Sequence, residues 1–225
     1  MKYTNFITSW GLEGVDLGLF KQALTHSSTG SADYERLEFL GDRVLGLVMA
    51  EMLYKRFPDE AEGDLAKRHA ALVSGKMLSK IAQDLDLGDV VLLSDNERQS
   101  GGSENDNILA DAVEAIIGAV FLSGDYMTCH GLILKLWDSY IDVMVVPPQD
   151  PKTELQEWSQ GQALGVPVYK LVERSGPDHQ PEFRVSVSVA GYNPAEAVSN
   201  SKRAAEKKAA QNFLKQNKIN EKASI

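Results

Sequence analysis

The chain has 225 residues, of which 43% are hydrophobic, so it can bury a core without disulfide cross-links. Its one cysteine, Cys129, excludes an internal disulfide and fits a reducing compartment. The formal net charge of −9 excludes a uniformly basic nucleic-acid binder.

The beginning of the sequence carries no targeting signal that we recognise. No apolar segment follows a basic start, and no charge-free apolar run reaches the roughly 18 residues of a membrane span. We therefore expect a cytoplasmic protein with no membrane association. Apolar residues then recur at three- and four-residue spacing through about residue 145, which predicts a series of helices.

The segment Glu35–Asp42, with the sequence ERLEFLGD, places three acidic residues at helical spacing. At about 100° per residue, Glu35, Glu38 and Asp42 fall within about 60° of one another on a helix. The opposite side is predicted to face the core through Leu37, Leu40, Val44, Leu47 and Val48. Such a face is either a carboxylate site or, as an equal alternative, ordinary solvated surface.

The segment 108–122, ILADAVEAIIGAVFL, contains only two polar residues, Asp111 and Glu114. A helix that is apolar nearly all round is buried, and buried carboxylates are costly unless something compensates them. Asp111 and Glu114 project together at i and i+3, and Gly118 on the same face is expected to leave space beside them. The compensator is either a buried salt bridge or a divalent cation, for which carboxylates suit Mg²⁺ or Mn²⁺.

Three prolines within residues 147–151 predict a linker, because proline fits neither a helix interior nor a central strand. Asp150 can then cap a helix that runs to about Ala163. Strands are predicted at 168–174, 182–189 and 195–199, followed by a helix at about 201–216. The order is α-β-β-β-α.

The charges are divided unequally between these two parts. Residues 1–147 contain 12 Lys and Arg against 23 Asp and Glu, a net charge of −11, whereas residues 148–225 contain 11 against 9, a net charge of +2. Acidic residues in the first part can bind cations, and basic residues in the second part can bind phosphate groups.

The sequence ERLEFLGD resembles the signature of the ribonuclease III family. Four other stretches resemble that family in order and spacing: residues 24–27, 62–65, 100–102 and 108–114. The resemblance implies a mainly α protein whose all-helical nuclease domain spans residues 1–147 and works as a homodimer. It also implies a metal site formed by Glu38, Asp42, Asp111 and Glu114. Asp42 and Glu114 match the positions with the most direct catalytic role, and Glu35 matches an accessory acidic position.

Beyond a linker at about residues 148–151, residues 150–218 resemble a small α-β-β-β-α double-stranded RNA-binding domain. Such domains read the shape of A-form RNA and its 2′-hydroxyls more than its sequence. The resemblance places RNA contacts on the first helix, on the turn between the first two strands, and at the start of the last helix. The residues are Thr153, Gln156, Gln160, His179, Lys202, Arg203 and Lys207.

The chain departs from the family pattern in two places. Family members usually carry basic residues where Ser103–Asn107 reads SENDN, so an acidic loop is expected to weaken or displace RNA contact there. Ala197 and Ser199 replace two glycines often found ahead of the last helix.

The resemblance implies Mg²⁺-dependent hydrolysis of double-stranded RNA, with Mn²⁺ as a substitute metal. The expected products have 5′-phosphate and 3′-hydroxyl ends and short 3′ overhangs, and the expected substrates are ribosomal-RNA precursors and other structured RNAs, including messenger RNA. Two alternatives stay open: an inactive family member that only binds RNA, and a phosphohydrolase of small molecules.

Overall fold

The computed structural model describes residues 7, 10, 12, 14–177 and 180–219, which fall into two compact units, 1–148 and 149–225. In its described residues the first unit is helical, apart from an isolated bridge between Thr25 and Leu92. Its α-helices are α1 (Leu17–Ala23), α2 (Glu35–Arg56), α3 (Glu62–Leu72), α4 (Gly75–Asp84), α5 (Asp95–Gln99), α6 (Asp106–Ser123) and α7 (Tyr126–Asp142). Short 3-10 turns lie at Ser27–Thr29, Leu87–Asp89 and Gly102–Glu104.

Helix α6 is the centre of the first unit and packs against α1, α2, α4 and α7. Its apolar sequence explains this position, because each of its faces must be covered by another helix. Along the described parts of the chain, no helix has the length and apolar character needed to cross a membrane.

Helices α2 and α6 cross with their backbones in contact at two glycines. A Cβ atom on Gly41 would overlap the backbone carbonyl of Glu114, and a Cβ on Gly118 would overlap that of Leu37. The sequence predicted that Gly118 leaves free space beside the carboxylates. In the structure, the backbone of α2 occupies the space that a Gly118 side chain would need. This close crossing brings the acidic residues of the two helices together.

The prediction of the buried face of α2 was wrong for one residue. Leu37, Val44 and Val48 are buried, but Leu47 is 61% exposed. Because α6 packs on the side that borders the carboxylates, the face opposite Glu38 points outward. Leu47 lies about 180° around the helix from Glu38, so it falls on that outward face.

A buried arginine ties the end of the first unit to α3. Arg68, only 1% exposed, donates to both carboxylate oxygens of Glu60 at 2.8 and 2.6 Å and to the carbonyl of Met144. Its guanidinium carbon lies 3.9 Å from the centroid of the Phe57 ring. These hydrogen bonds lower the pKa of Glu60. Arg68 thereby satisfies backbone carbonyls after α7 that no helix partner reaches.

The second unit has the predicted α-β-β-β-α order. Its elements are α8 (Pro151–Gly161), β1 (Val168–Ser175), β2 (Glu182–Ser188), β3 (Ala195–Ser199) and α9 (Lys202–Gln216). The sheet is antiparallel in the order β1-β2-β3, with Val187 opposite both Tyr169 and Ala195. As expected, Asp150 caps α8 and Pro151 begins it. The helix ends two residues earlier than predicted, and Ala163 has a positive φ of 58°.

The core of the second unit lies between the two helices and one face of the sheet. Alternate residues of β2 point into it, and one face of α9 covers them. The buried side chains include Leu155, Val185, Val187, Val189, Ala205, Ala209 and Phe213. The outer faces of α8 and α9 stay exposed.

Candidate functional site

Three carboxylates converge where α2 crosses α6. Glu38 on α2 and Asp111 and Glu114 on α6 each place a carboxylate oxygen within 4.8 Å of the others. All three side chains are partly buried. The Gly41–Gly118 crossing explains this convergence, because it removes the side chains that would otherwise separate the two helices.

The electrostatics of this trio are unfavourable for three negative charges. Burial, followed by the nearby charges of Asp42, Glu38 and Asp111, raises the pKa of Glu114 to about 8. Burial also raises the pKa of Glu38 and of Asp111. A divalent cation suits a cluster of carboxylate oxygens that repel one another, so the donor set fits a hard metal ion.

Asp42 and Glu35 border the trio without joining it. Asp42 forms an ion pair with Arg43, whose guanidinium carbon lies 5.5 Å from the Phe39 ring centroid. The charge of Asp42 nonetheless contributes to the raised pKa of Glu114. Glu35 is exposed, and its charge acts on Glu38. Of the four expected metal ligands, the structure thus groups three and places the fourth beside them.

Sequence reasoning missed one residue that touches the trio. The hydroxyl of Tyr34, the residue just before α2, hydrogen-bonds the Asp111 carboxylate. Burial and then the charge of Asp111 raise the pKa of Tyr34 well above its usual range. The sequence shows only that an aromatic residue, Tyr34, directly precedes an acidic helix. This pattern does not indicate that its hydroxyl has a partner on α6.

The expected RNA-contacting side chains are mostly exposed in the second unit. Thr153, Gln156 and Gln160 line the outer face of α8, while Lys202 and Arg203 begin α9 beside its cap, Ser201. Lys207 is also exposed, and its ammonium forms an ion pair with Asp150 at 3.1 Å. His179 lies outside the described residues.

Comparison with known proteins identifies both parts of the chain. The ribonuclease-III-like family model matches residues 16–139, and the double-stranded RNA binding motif matches residues 151–217. The chain belongs to the ribonuclease III family. It is therefore an endoribonuclease that acts on double-stranded RNA.

Individual relatives agree with this assignment. Ribonuclease 3 of Ehrlichia canis (strain Jake) is 46% identical over 203 residues, covering 88% of this chain and 90% of that protein. Ribonuclease 3 of Anaplasma marginale (strain Florida) is 45% identical over 209 residues, covering 91% and 90%. A structure of the ribonuclease III nuclease domain from Campylobacter jejuni, described as flexible in a region involved in dimer formation, aligns with a TM-score of 0.58. It is 46% identical and covers 60% of this chain and 94% of that one.

The acidic loop Ser103–Asn107 has a structural role. Asn105 caps α6 by accepting hydrogen bonds from the amides of Asn107 and Ile108. Asp106 accepts from the Ser79 hydroxyl and, at 3.0 Å, from the Gln83 amide. Two of the polar residues in the loop therefore anchor the start of the helix that carries Asp111 and Glu114.

The second departure lies in β3. Ala197 is buried opposite Val185, and Ser199 pairs with Phe183 at the end of the sheet. Both residues are ordinary members of the β2–β3 ladder.

Proposed function

We propose that this ribonuclease III hydrolyses double-stranded RNA with Mg²⁺, or Mn²⁺ in its place, and leaves 5′-phosphate and 3′-hydroxyl ends with short 3′ overhangs. The observation that carries the proposal is the trio of Glu38, Asp111 and Glu114, whose oxygens converge and whose pKa values burial raises. Three ionised carboxylates so placed are costly, and either a proton or a bound cation reduces that cost.

Glu38, Asp42, Asp111 and Glu114 would hold the metal, with Glu35 as an accessory charge beside them. When bound, Mg²⁺ activates water and stabilises negative charge on the phosphodiester oxygens. A pKa raised to about 8 favours the protonated form of the Glu114 carboxyl at neutral pH, and a bound cation would favour its ionised form. We assign Glu114 and Asp42 the most direct catalytic role because they match the family positions that have it, and they lie on the two helices that cross, α6 and α2.

The second unit binds the RNA duplex. Lys202 and Arg203 reach phosphates from the start of α9, where the helix N-terminus also favours negative charge. Thr153, Gln156 and Gln160, together with His179, contact the minor grooves. We accordingly assign the nuclease domain to residues 1–147, the linker to 148–151 and the RNA-binding domain to 150–218.

We further propose that the nuclease domain forms a homodimer, which cuts the two strands at two sites. The support is an exposed apolar stripe on α2, where Phe39, Leu47 and Tyr54 are 67%, 61% and 73% exposed. Large apolar side chains exposed along one side of a helix are typical of an interaction surface. Leu47→Asp should shift the full-length protein from dimer to monomer in analytical ultracentrifugation, whereas a dimer of unchanged stability would contradict this assignment.

Ribosomal-RNA precursors and other structured RNAs, including messenger RNA, are the substrates we propose. Duplex recognition by shape sets few limits on their sequence.

The decisive experiment incubates the full-length protein with long duplex RNA, with single-stranded RNA of the same sequence, and with mononucleotides. Each incubation is run with Mg²⁺ and with a chelator. We expect cleavage of the duplex alone, and only with Mg²⁺. Binding without cleavage would favour an inactive RNA-binding protein, and hydrolysis of mononucleotides would favour a small-molecule phosphohydrolase.

A further inference from the structure

Tyr34 contacts two of the three clustered acidic residues in different ways. Its side chain is 3% exposed. Its backbone carbonyl accepts the amide of Glu38 at 2.9 Å, which begins α2. Its hydroxyl hydrogen-bonds the Asp111 carboxylate on α6. One residue therefore links the backbone of one acidic residue to the side chain of another, across the helix crossing.

The segment before Tyr34 holds its backbone in place. The Tyr34 amide donates to the carbonyl of Thr25 at 3.0 Å. The amide of Leu92 donates to the carbonyl of Leu24 at 2.7 Å, and the amide of His26 donates to that of Leu92 at 3.0 Å. These bonds attach the family-like stretch 24–27, which supplies none of the proposed metal ligands, to the body of the nuclease unit.

The imidazole of His26 packs against the Tyr34 ring. Its Nδ1 accepts the amide of Ser28 at 3.2 Å, so the neutral ring carries its proton on Nε2. The His26 and Tyr34 ring centroids are 5.8 Å apart at a tilted angle of 57°. Because Nδ1 accepts this hydrogen bond, the rotation of the imidazole is restricted. The Tyr34 ring therefore packs against an imidazole of defined orientation.

We infer that Tyr34 is a positioning residue for the metal-binding carboxylate of Asp111, and that His26 keeps Tyr34 in place. The inference rests on the proposed function. Asp111 shares its site with like charges that repel it, and one hydrogen bond from a buried phenol restricts the orientations it can adopt. Partners of this kind orient metal ligands, and their loss typically weakens metal binding about 10- to 100-fold.

Tyr34→Phe tests this inference because it keeps the buried ring and removes the hydroxyl. Mn²⁺ binding to the full-length, metal-free protein is measured by isothermal titration calorimetry, and the Tm is measured in chelator. We expect affinity to fall about 10- to 100-fold. The matched control is Tyr126→Phe, because the Tyr126 hydroxyl also donates to a carboxylate, that of Glu51, outside the trio. The control should bind Mn²⁺ as the parent does.

A double-mutant cycle separates positioning from general loosening of the fold. In an Asp111→Asn background, Tyr34→Phe should change Mn²⁺ affinity no further, because its effect acts through Asp111. An equal loss in both backgrounds would overturn the inference, as would parental affinity in the single variant. His26→Ala keeps the Tyr34 hydroxyl and should give a smaller loss. Because the charge of His26 also acts on Asp111, His26→Phe is its control, which keeps a ring beside Tyr34 and removes that charge. A loss with His26→Ala that His26→Phe does not share carries the test if Tyr34→Phe does not fold, and equal losses overturn the role of His26.

The outcome also distinguishes this inference from the proposed function. If the parent protein binds no Mn²⁺ and cleaves no duplex, the metal-dependent nuclease is wrong. If the parent binds Mn²⁺ and cleaves, while Tyr34→Phe matches it in affinity, only the role of Tyr34 is wrong.

Discussion

Replacing Gly41 by alanine should break the site by pushing the two central helices apart. A Cβ at Gly41 would lie 2.6 Å from the carbonyl carbon of Glu114 and 3.0 Å from the nitrogen of Gly118. Carbon atoms prefer separations of about 3.5 to 4.0 Å, so relief of the overlap requires a shift on the order of 1 Å. Backbone atoms cannot move aside as a flexible side chain can.

The expected cost has two parts. Overpacking of a core typically destabilises by about 1 to 3 kcal/mol. In a helix interior alanine is favoured over glycine by about 1 kcal/mol, which offsets part of that cost. The activity cost is larger, because Glu38 moves away from Asp111 and Glu114, and a misplacement of about 1 Å can reduce a rate about 100-fold.

Gly46→Ala is the matched control in the same helix. A Cβ there has ordinary contacts only, with the His69 ring atoms at 3.9 and 4.0 Å. We expect Gly46→Ala to keep or slightly raise the Tm and to cleave normally. Gly41→Ala should lower the Tm and cut duplex RNA about 100-fold more slowly, with duplex binding retained. If the two variants match in Tm and in cleavage rate, the close crossing does not position the carboxylates.

The remaining predictions concern charged side chains. Glu114→Gln should reduce cleavage by orders of magnitude at ordinary Mg²⁺ while duplex binding persists in a filter-binding assay; near-normal cleavage would remove Glu114 from the metal site. Because the pKa of Glu114 is raised to about 8, its protonated form stabilises the metal-free fold below about pH 4.5, and this contribution is lost as the pH rises through 8. Mn²⁺ affinity should therefore rise with pH up to about 8 in the parent and more weakly in Glu114→Gln, and parallel pH profiles would contradict that assignment. Lys202→Ala and Arg203→Ala should each lower the salt dependence of duplex binding by about one unit of slope, the loss of one phosphate contact, whereas Lys207→Ala, whose ammonium pairs with Asp150, should lower it by less than either. A decrease with Lys207→Ala equal to that of the other single variants would show that the pair with Asp150 does not withhold Lys207 from RNA. Arg68→Met should lower the Tm in calorimetry far more than Lys80→Met, which removes only an exposed ion pair. Loss of Arg68 leaves Glu60 and the carbonyls after α7 without their hydrogen-bond donor. Comparable decreases in Tm would show that burial adds nothing to the Arg68 pair.

The candidate site could be predicted from the sequence to the extent that it depends on local pattern. Asp111 and Glu114 stand alone in an apolar helix, so their burial and their need for a partner are visible without coordinates. Which residues of α2 join them depends on how that helix is rotated. Glu38 converges with them and Asp42 turns to Arg43, and no periodicity of one helix reveals this difference.

The error at Leu47 has the same origin. The direction of the apolar face of α2 depends on where α6 packs, and that contact is set by Gly41 and Gly118 together. A helical projection of α2 alone predicts that the carboxylates face the solvent. In the folded unit the carboxylates border the interior, and the exposed side carries Leu47.

The sequence by itself determined the helical and α-β-β-β-α order, the division near the prolines, the opposite charges of the two parts and the acidic residues themselves. Each of these follows from local propensity, period or composition, which act over a few residues. Only the tertiary structure decided the contact of Tyr34 with Asp111 and the pairing of Lys207 with Asp150. Both join residues from different elements, and such contacts depend on packing distances that the order of residues along the chain does not contain.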